Sequence, residues 1–299
     1  MNKSIEFSII MSAYNVEEYI ERAVSSVLKQ DFKKYELIIV NDGSTDNTWC
    51  KMKEIKKNNK DIDITLINNK YNKGLGKSRN IAMKKAKGDY ILYLDCDDTI
   101  CDNNTLSKVN QIVEKEQPDL IYLGVQYVGG GNKLYIPTKE NSTKEARLAC
   151  DMHFAVSSKC FKREFLIKNS ITFLENMYYE DMVYSIKCTI LAEKLSYGEF
   201  AFYNYYRNRE GSIMSTPNIR RCVDMYRMLA HIMQLYEITP EEYKPYLLSF
   251  IENETNGVNS RLNCILDAID KHAISPVMPK RNYELITKKE NNNDKNHIN

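Results

Sequence analysis

Over the first hundred residues, short apolar runs alternate with segments whose apolar positions recur every three or four residues. Residues 7–11, FSIIM, form a run of strand length that stops at the polar loop residues Ser12, Ala13, Tyr14 and Asn15. In 17–30 the residues Ile20, Ala23, Val24, Val27 and Leu28 fall at i, i+3, i+4, i+7 and i+8, the stripe of an amphipathic helix. Glu17 and Glu18 sit in its first turn, where the helix dipole favours acids. A second strand is predicted over 35–40, ending in the turn-forming cluster NDGSTD at 41–46. A lysine-rich helix over 48–58, a strand over 62–67, a loop at 72–76, a helix over 77–86 and a strand over 90–94 follow.

Strands separated by helices predict βαβ units, hence an α/β fold with a mainly parallel sheet flanked by helices. Ligands of such sheets lie outside the carboxyl ends of the strands. Here those ends carry Ser12 to Asn15, then Asn41-Asp42-Gly43, then Asp95-Cys96-Asp97-Asp98, so three strand ends deliver polar groups to one edge. Further on, two β-rich runs in 118–138 flank Gly129-Gly130-Gly131-Asn132, a hairpin signal. Met182, Val183, Ile186 and Ile190 recur at helical spacing, so Glu180 and Asp181 open a helix. After Pro217 the pattern is helical over 223–236 and 245–273, and residues 288–299 are polar enough to predict disorder.

The stretch LDCDDT at 94–99 raises the chemical question. Two carboxylates one residue apart at a strand end make a hard oxygen site, of the kind that takes Mg²⁺ or Mn²⁺ with water and phosphates completing the shell. A cation would neutralise the self-repulsion of three crowded aspartates. Alone, a D-x-D is weak evidence, since most are loop acids or helix caps; beside two other polar strand ends it gains weight.

Composition narrows the classes. The 299 residues are 43% apolar and 27% charged, as in an ordinary globular protein. A net charge of +2 from 42 bases and 40 acids lacks the basic excess of a nucleic-acid binder. The 21 tyrosines against nine phenylalanines point to a core with polar edges. No run of about 18 apolar residues predicts a membrane span, and the first residues lack the apolar core of a signal peptide. The eight cysteines show neither C-x-x-C nor zinc-finger spacing, and reduced thiols in the cytoplasm are the expectation.

The segments FSIIMSAYNVEEYIERAVSSVLKQDFKKYELIIVNDGSTDNT and GLGKSRNIAMKKAKGDYILYLDCDD resemble the two opening blocks of the inverting glycosyltransferases of family 2, which have a GT-A fold. The likeness continues through FKREFLIKNSITFLENMYYEDMVYSI and NYYRNREGSIMS, so it covers about residues 5–217. It implies a transferase domain over 1–217, with a nucleotide-binding half over about 1–100 and an acceptor-side half over 101–217, then a helical C-terminal appendage over 218–285 and a disordered tail over 286–299. It implies a nucleotide-diphosphate sugar donor, a UDP-sugar first, a glycan or lipid-linked glycan acceptor, and Mn²⁺ or Mg²⁺. By position, Ser12, Ala13, Tyr14, Asn15 and Asp42 would form the nucleoside pocket, with Asp42 accepting the base's imide N–H. Arg79 would lie beside nucleoside and phosphates. Asp95 and Asp97 would be the D-x-D pair, Asp97 the direct metal ligand and Asp95 nearer the ribose, with Asp98 able to share that work. Asp181 would be the base and Glu180 an acceptor-side or supporting acid. Arg207, Arg209 and Ser212 would close on the diphosphate. A helix N-terminus is expected to lower the pKa of Asp181. For the C-terminal helices, core packing, acceptor specificity, a homo-oligomer contact and a dock on the cytoplasmic face of a membrane stay open. A nucleotide-sugar-binding subunit without catalysis, and a sugar nucleotidyltransferase, are the alternative functions. The second expects a Gly-rich basic loop after the first strand, where this chain has Ser12 to Asn15.

Overall fold

The computed structural model describes residues 5–129, 131, 133–149, 155–207 and 219–270. Its centre is one sheet. The strands β1 (Phe7–Ala13), β2 (Tyr35–Asn41), β3 (Asp63–Asn68) and β4 (Tyr90–Tyr93) are parallel, in the order β3-β2-β1-β4. They are linked by α1 (Ile20–Leu28), α2 (Thr48–Asn58) and α3 (Leu75–Met83). Beyond β4 the sheet is mixed. β8 (Lys159–Lys162) pairs antiparallel with both β4 and β6 (Leu120–Val128), and the long β9 (Leu195–Tyr206) runs parallel to β6. The short β5 (Thr99–Ile100) and β7 (Leu134–Tyr135) pair antiparallel with β9 and β6; the β6–β7 pair is the expected hairpin. The remaining helices are α4 (Thr105–Glu116), α5 (Lys144–Leu148), α6 (Arg163–Lys168), α7 (Glu180–Leu191), α8 (Ile219–Tyr236) and α9 (Lys244–Asp270).

The strand period of two divides the core. Phe7, Ile9, Met11 and Ala13 of β1 face α1, α2 and α4, whereas Ile10 faces α3, α6 and α7. β2 is buried at every position, as expected for a parallel strand covered on both faces. Several boundaries differ from the sequence expectation. α1 begins at Ile20, so Glu17 and Glu18 precede its first turn and only Glu21 lies in it. β1 continues through Ser12 and Ala13, which pair with Val40 and Asn41, because the neighbouring strand offers ladder partners there. α3 begins at Leu75 and stops at Met83, inside the expected 77–86.

The C-terminal helices are not detached from the sheet domain. Met182, Val183, Ile186 and Ile190 of α7 share a core with Met225, Met228, Leu229 and Ile232 of α8 and with Leu247, Phe250 and Val258 of α9. Among the described residues no helix is long and apolar enough to cross a membrane. The polar tail at 288–299 lies outside the described residues.

Candidate active site

The site forms where the carboxyl ends of β1, β2 and β4 meet the first turn of α7. The first two ends are tied together. Asn15, with a left-handed φ of 50°, donates its N–H to Ser44 Oγ at 3.1 Å and accepts from the Thr45 N–H at 2.8 Å. Tyr14 is 46% exposed although aromatic. Ala13 points into the core and its carbonyl accepts the Asp42 N–H, so it offers the pocket little beyond its place beside Tyr14. Ser12 Oγ is buried and meets no hydrogen-bond partner among the described residues.

Asp42 is buried, and its carboxylate accepts from Asn69 Nδ2, from the Lys73 N–H and from the Gly74 N–H, each at 2.9 Å. It therefore anchors the 69–74 loop. Gly43 beside it adopts φ +71°, and a Cβ there would lie 2.4 Å from the Tyr71 carbonyl carbon, so only glycine lets the two loops approach.

Arg79 occupies the centre. It is 4% exposed, donating from Nη2 to Asp95 Oδ1 at 2.8 Å and from Nη1 to Glu180 Oε1 at 2.9 Å. Its guanidinium lies 5.2 Å from the Phe173 ring centroid and 5.9 Å from that of Tyr93. Sequence reading placed this arginine beside nucleoside and phosphates. In the structure its planar fork joins the D-x-D turn to the E-D pair, which is 101 residues away in sequence.

The three aspartates divide their work. Asp95 is partly exposed and also lies 3.3 Å from the Tyr203 hydroxyl. Asp97 is 8% exposed, and its carbonyl accepts from Arg22 Nη2 at 2.6 Å. Asp98 turns inward, accepting from the Tyr203 hydroxyl and, at 2.8 Å, from the Tyr206 N–H. Burial, then the charge of Asp95, pushes the Asp98 carboxyl up to about 7, against its hydrogen bonds from Tyr203 and Tyr206. Asp98 thus fastens the acidic turn to β9.

Sequence reading missed the partners that hold this turn. Arg22 stacks 3.9 Å from the Tyr206 ring centroid while gripping the Asp97 carbonyl. It sits on the polar side of an amphipathic helix, where an arginine carries no local signal. Tyr203 is one of many tyrosines in β9, and only the fold selects it.

Glu180 and Asp181 open α7 as expected. Glu180 is 6% exposed and turned to Arg79. Burial, then the charge of Asp181, raises its pKa to about 7, with Arg79 opposing. The expectation that the helix terminus lowers the Asp181 pKa is overturned. Burial is the largest influence and pushes it up, ahead of the opposing charges of Arg79 and Lys159.

Arg207 leaves the end of β9, its N–H bound to the Val128 carbonyl at 3.0 Å and its guanidinium 3.9 Å over the Tyr127 ring. Arg209 and Ser212 lie outside the described residues.

No group of three or more His, Cys, Asp or Glu side chains gathers among the described residues in a way that could hold a metal. Asp95 and Asp97 are a two-carboxylate set. That fits a hard divalent ion that takes its remaining ligands from water and diphosphate.

A mixed sheet with an acidic turn at the end of its fourth strand, faced by an E-D helix, defines a GT-A glycosyltransferase domain. Residues 8–175 match the model of Glycosyl transferase family 2, and the chain belongs to that family. It is 30% identical over 219 residues to the poly(ribitol-phosphate) beta-N-acetylglucosaminyltransferase TarS of Staphylococcus aureus, covering 72% of this chain and 38% of that protein. It is 47% identical over 91 residues, 30% of this chain and 35% of the other, to an Escherichia coli UDP-Glc:alpha-D-GlcNAc-diphosphoundecaprenol beta-1,3-glucosyltransferase, WfaP. The chain thus spans little more than a third of the length of these two relatives. The crystal structure of S. aureus TarS 1–349 in complex with UDP-GlcNAc superposes with a TM-score of 0.68 at 26% identity, over 83% of this chain and 72% of that one. In fold, the Pyrobaculum calidifontis mannosyltransferase PcManGT, in complex with GDP-Man and Mn²⁺, is also alike: TM-score 0.60 at 16% identity, over 96% of this chain and 80% of that one.

Proposed function

We propose that this protein transfers a sugar, with inversion, from a UDP-sugar to a hydroxyl of a glycan or glycolipid acceptor in surface-polysaccharide synthesis. The observation that carries this reading is Arg79, which holds the D-x-D turn and the E-D pair against one another in a single buried ion-pair network. A donor-side and an acceptor-side carboxylate are thereby bridged by one guanidinium. The donors of the S. aureus and E. coli relatives, UDP-GlcNAc in the crystal complex and UDP-Glc in the enzyme's name, support a uridine donor.

In this reading Tyr14 lies against the uracil and Asn15 beside it, while Asp42 shapes the pocket through the 69–74 loop and keeps acceptor capacity on Oδ2 for the imide N–H. Asp97 and Asp95 would hold Mn²⁺ or Mg²⁺, with Asp97 as the direct ligand. A divalent ion there would supply positive charge to the departing diphosphate. Arg207, with Arg209 and Ser212, would pair its oxygens. Asp181 takes the proton of the acceptor hydroxyl as that oxygen bonds to the anomeric carbon from the face opposite the leaving UDP. Its raised pKa makes it a stronger base once ionised. Glu180 keeps Arg79 in place beside it.

Thermal unfolding with UDP, GDP, CDP and dTDP, each with and without Mn²⁺, tests the donor site. A ligand at 100 times its Kd stabilises the folded state by about 2.7 kcal/mol. The expected result is a shift with UDP that needs Mn²⁺ and disappears in Asp97→Ala. The absence of any diphosphate shift in folded protein would overturn the assignment and favour a role without catalysis.

A further inference from the structure

The loop that delivers Glu180 and Asp181 is held from behind by the C-terminal helix α8. Between Phe173 and α7 the chain takes left-handed backbone at two non-glycine residues, Asn176 at φ 58° and Tyr179 at φ 65°. Such backbone persists only where the surroundings enforce it. Tyr179 supplies no side-chain cap to α7; within the first turn the Met182 N–H reaches the Tyr179 carbonyl at 3.2 Å.

The enforcing contacts come from both sides. Toward the donor half, Glu175 pairs with Lys77 Nζ at 2.6 Å, and Asn80 Nδ2 donates to the Phe173 carbonyl at 2.9 Å. Toward the C-terminus, Asp224 of α8 is 1% exposed, and its Oδ2 accepts the Tyr178 N–H at 3.1 Å. Its Oδ1 accepts from Arg227 Nη1 at 2.9 Å, and Arg220 Nε lies 3.7 Å from Oδ2. Arg227 Nη1 also donates to the Asn176 carbonyl at 3.4 Å, and Arg221 Nε to the Tyr179 hydroxyl at 3.2 Å. Each left-handed residue is thus gripped by an arginine of α8, and the peptide between them by Asp224.

We propose that Asp224 is a positioning residue for the transfer reaction. By holding the Tyr178 N–H and ordering Arg227, it fixes the left-handed entry into α7 and so aims the Asp181 carboxylate at the acceptor hydroxyl. This rests on the assignment of Asp181 as the base. It gives the C-terminal helices a part in the chemistry: α8 is the back wall of the acceptor half. An N–H left without Asp224 would swing toward another acceptor, and the helix start would move with it. A misplacement of about 1 Å is enough to cost about 10²-fold in rate.

The test compares Asp224→Leu, which removes the acceptor, with Asp224→Asn, which keeps an oxygen for the Tyr178 N–H. Two readouts are taken: release of UDP from UDP-glucose and UDP-N-acetylglucosamine with water as the acceptor, and hydrogen exchange of the amides at 176–182. Asp224→Leu is expected to lower kcat by about 10²-fold with KM and UDP affinity unchanged, and to speed exchange at 176–182 but not in β1 to β4. Asp224→Asn is expected to recover most of both. Unchanged kcat and exchange in Asp224→Leu would overturn the proposal, as would equal loss of kcat, UDP binding and protection across the whole sheet. If Asp224→Leu does not fold, Arg227→Met, which removes the arginine that Asp224 orders, is read the same way; there too a loss confined to kcat and local exchange is expected, and no loss overturns the proposal. The exchange measurement needs no substrate and decides the question whichever sugar is used. Asp181→Asn is assayed alongside. If it is inactive while Asp224→Leu is active, only the present inference falls; if Asp181→Asn is active, the base assignment falls.

Discussion

Asp181→Asn is expected to lower turnover by about 10²- to 10⁴-fold, the usual contribution of a positioned general base, while leaving UDP affinity and folding intact. Asparagine has the shape of aspartate and can stay in the first turn of α7, where Asp181 keeps partial solvent access, but it cannot take a proton. The pH dependence of the wild type follows from the direction of the shift. Burial raises the Asp181 pKa above the ordinary aspartate value of 3.8. The base works ionised, so kcat is full above the raised pKa and falls as pH drops through it. Glu180, pushed to about 7 by burial and by the charge of Asp181, titrates beside it, so the acid limb belongs to the pair. Steady-state kinetics of both proteins between about pH 5 and 8 checks this. A variant that keeps wild-type kcat would remove Asp181 from the mechanism.

The second large effect is on stability. At about pH 8, where Glu180 is largely ionised in the wild type, Arg79→Met is expected to cost about 3–5 kcal/mol, because the Glu180 and Asp95 carboxylates lose their shared cation and Glu180 must either stay charged while buried or take up a proton. The size follows from the penalty of an uncompensated buried charge rather than from the worth of the pair itself. Two consequences separate this from simple loss of packing. Arg79→Lys restores only part, since an ammonium is one point charge and cannot bridge both carboxylates with a planar fork. The double variant Arg79→Met with Glu180→Gln is expected to be more stable than Arg79→Met alone, since the stranded charge is gone. Urea unfolding of the four proteins measures this. A loss below about 1 kcal/mol in Arg79→Met would place the network among exposed pairs of little worth.

Much of the fold was legible because it rests on local periodicity. The apolar stripe of α1, the strand runs and the turn cluster at 41–46 each carry their own pattern, and the structure follows them. The acids of 95–98 were legible as a site but not in their separate parts. Nothing in D-C-D-D says that Asp98 would turn to Tyr203 and Tyr206, because its partners arrive from β9, more than a hundred residues on. Arg79 reads as a basic residue on a helix until the fold brings Glu180 to it. The Asp181 pKa was misjudged for a related reason: a helix terminus is visible in sequence, whereas the burial that outweighs it is a tertiary property. The helical pattern after 217 gave amphipathic stripes but not the partner, and α7 supplies it.

The measurement that tests the account most directly is the configuration of the sugar released from UDP-glucose and UDP-N-acetylglucosamine, followed by proton NMR before mutarotation mixes the anomers. With Asp181 delivering the acceptor oxygen to the face opposite the leaving group, the account predicts that the β-anomer appears first, together with UDP. First appearance of the α-anomer, or cleavage that Asp181→Asn leaves unchanged, would contradict it.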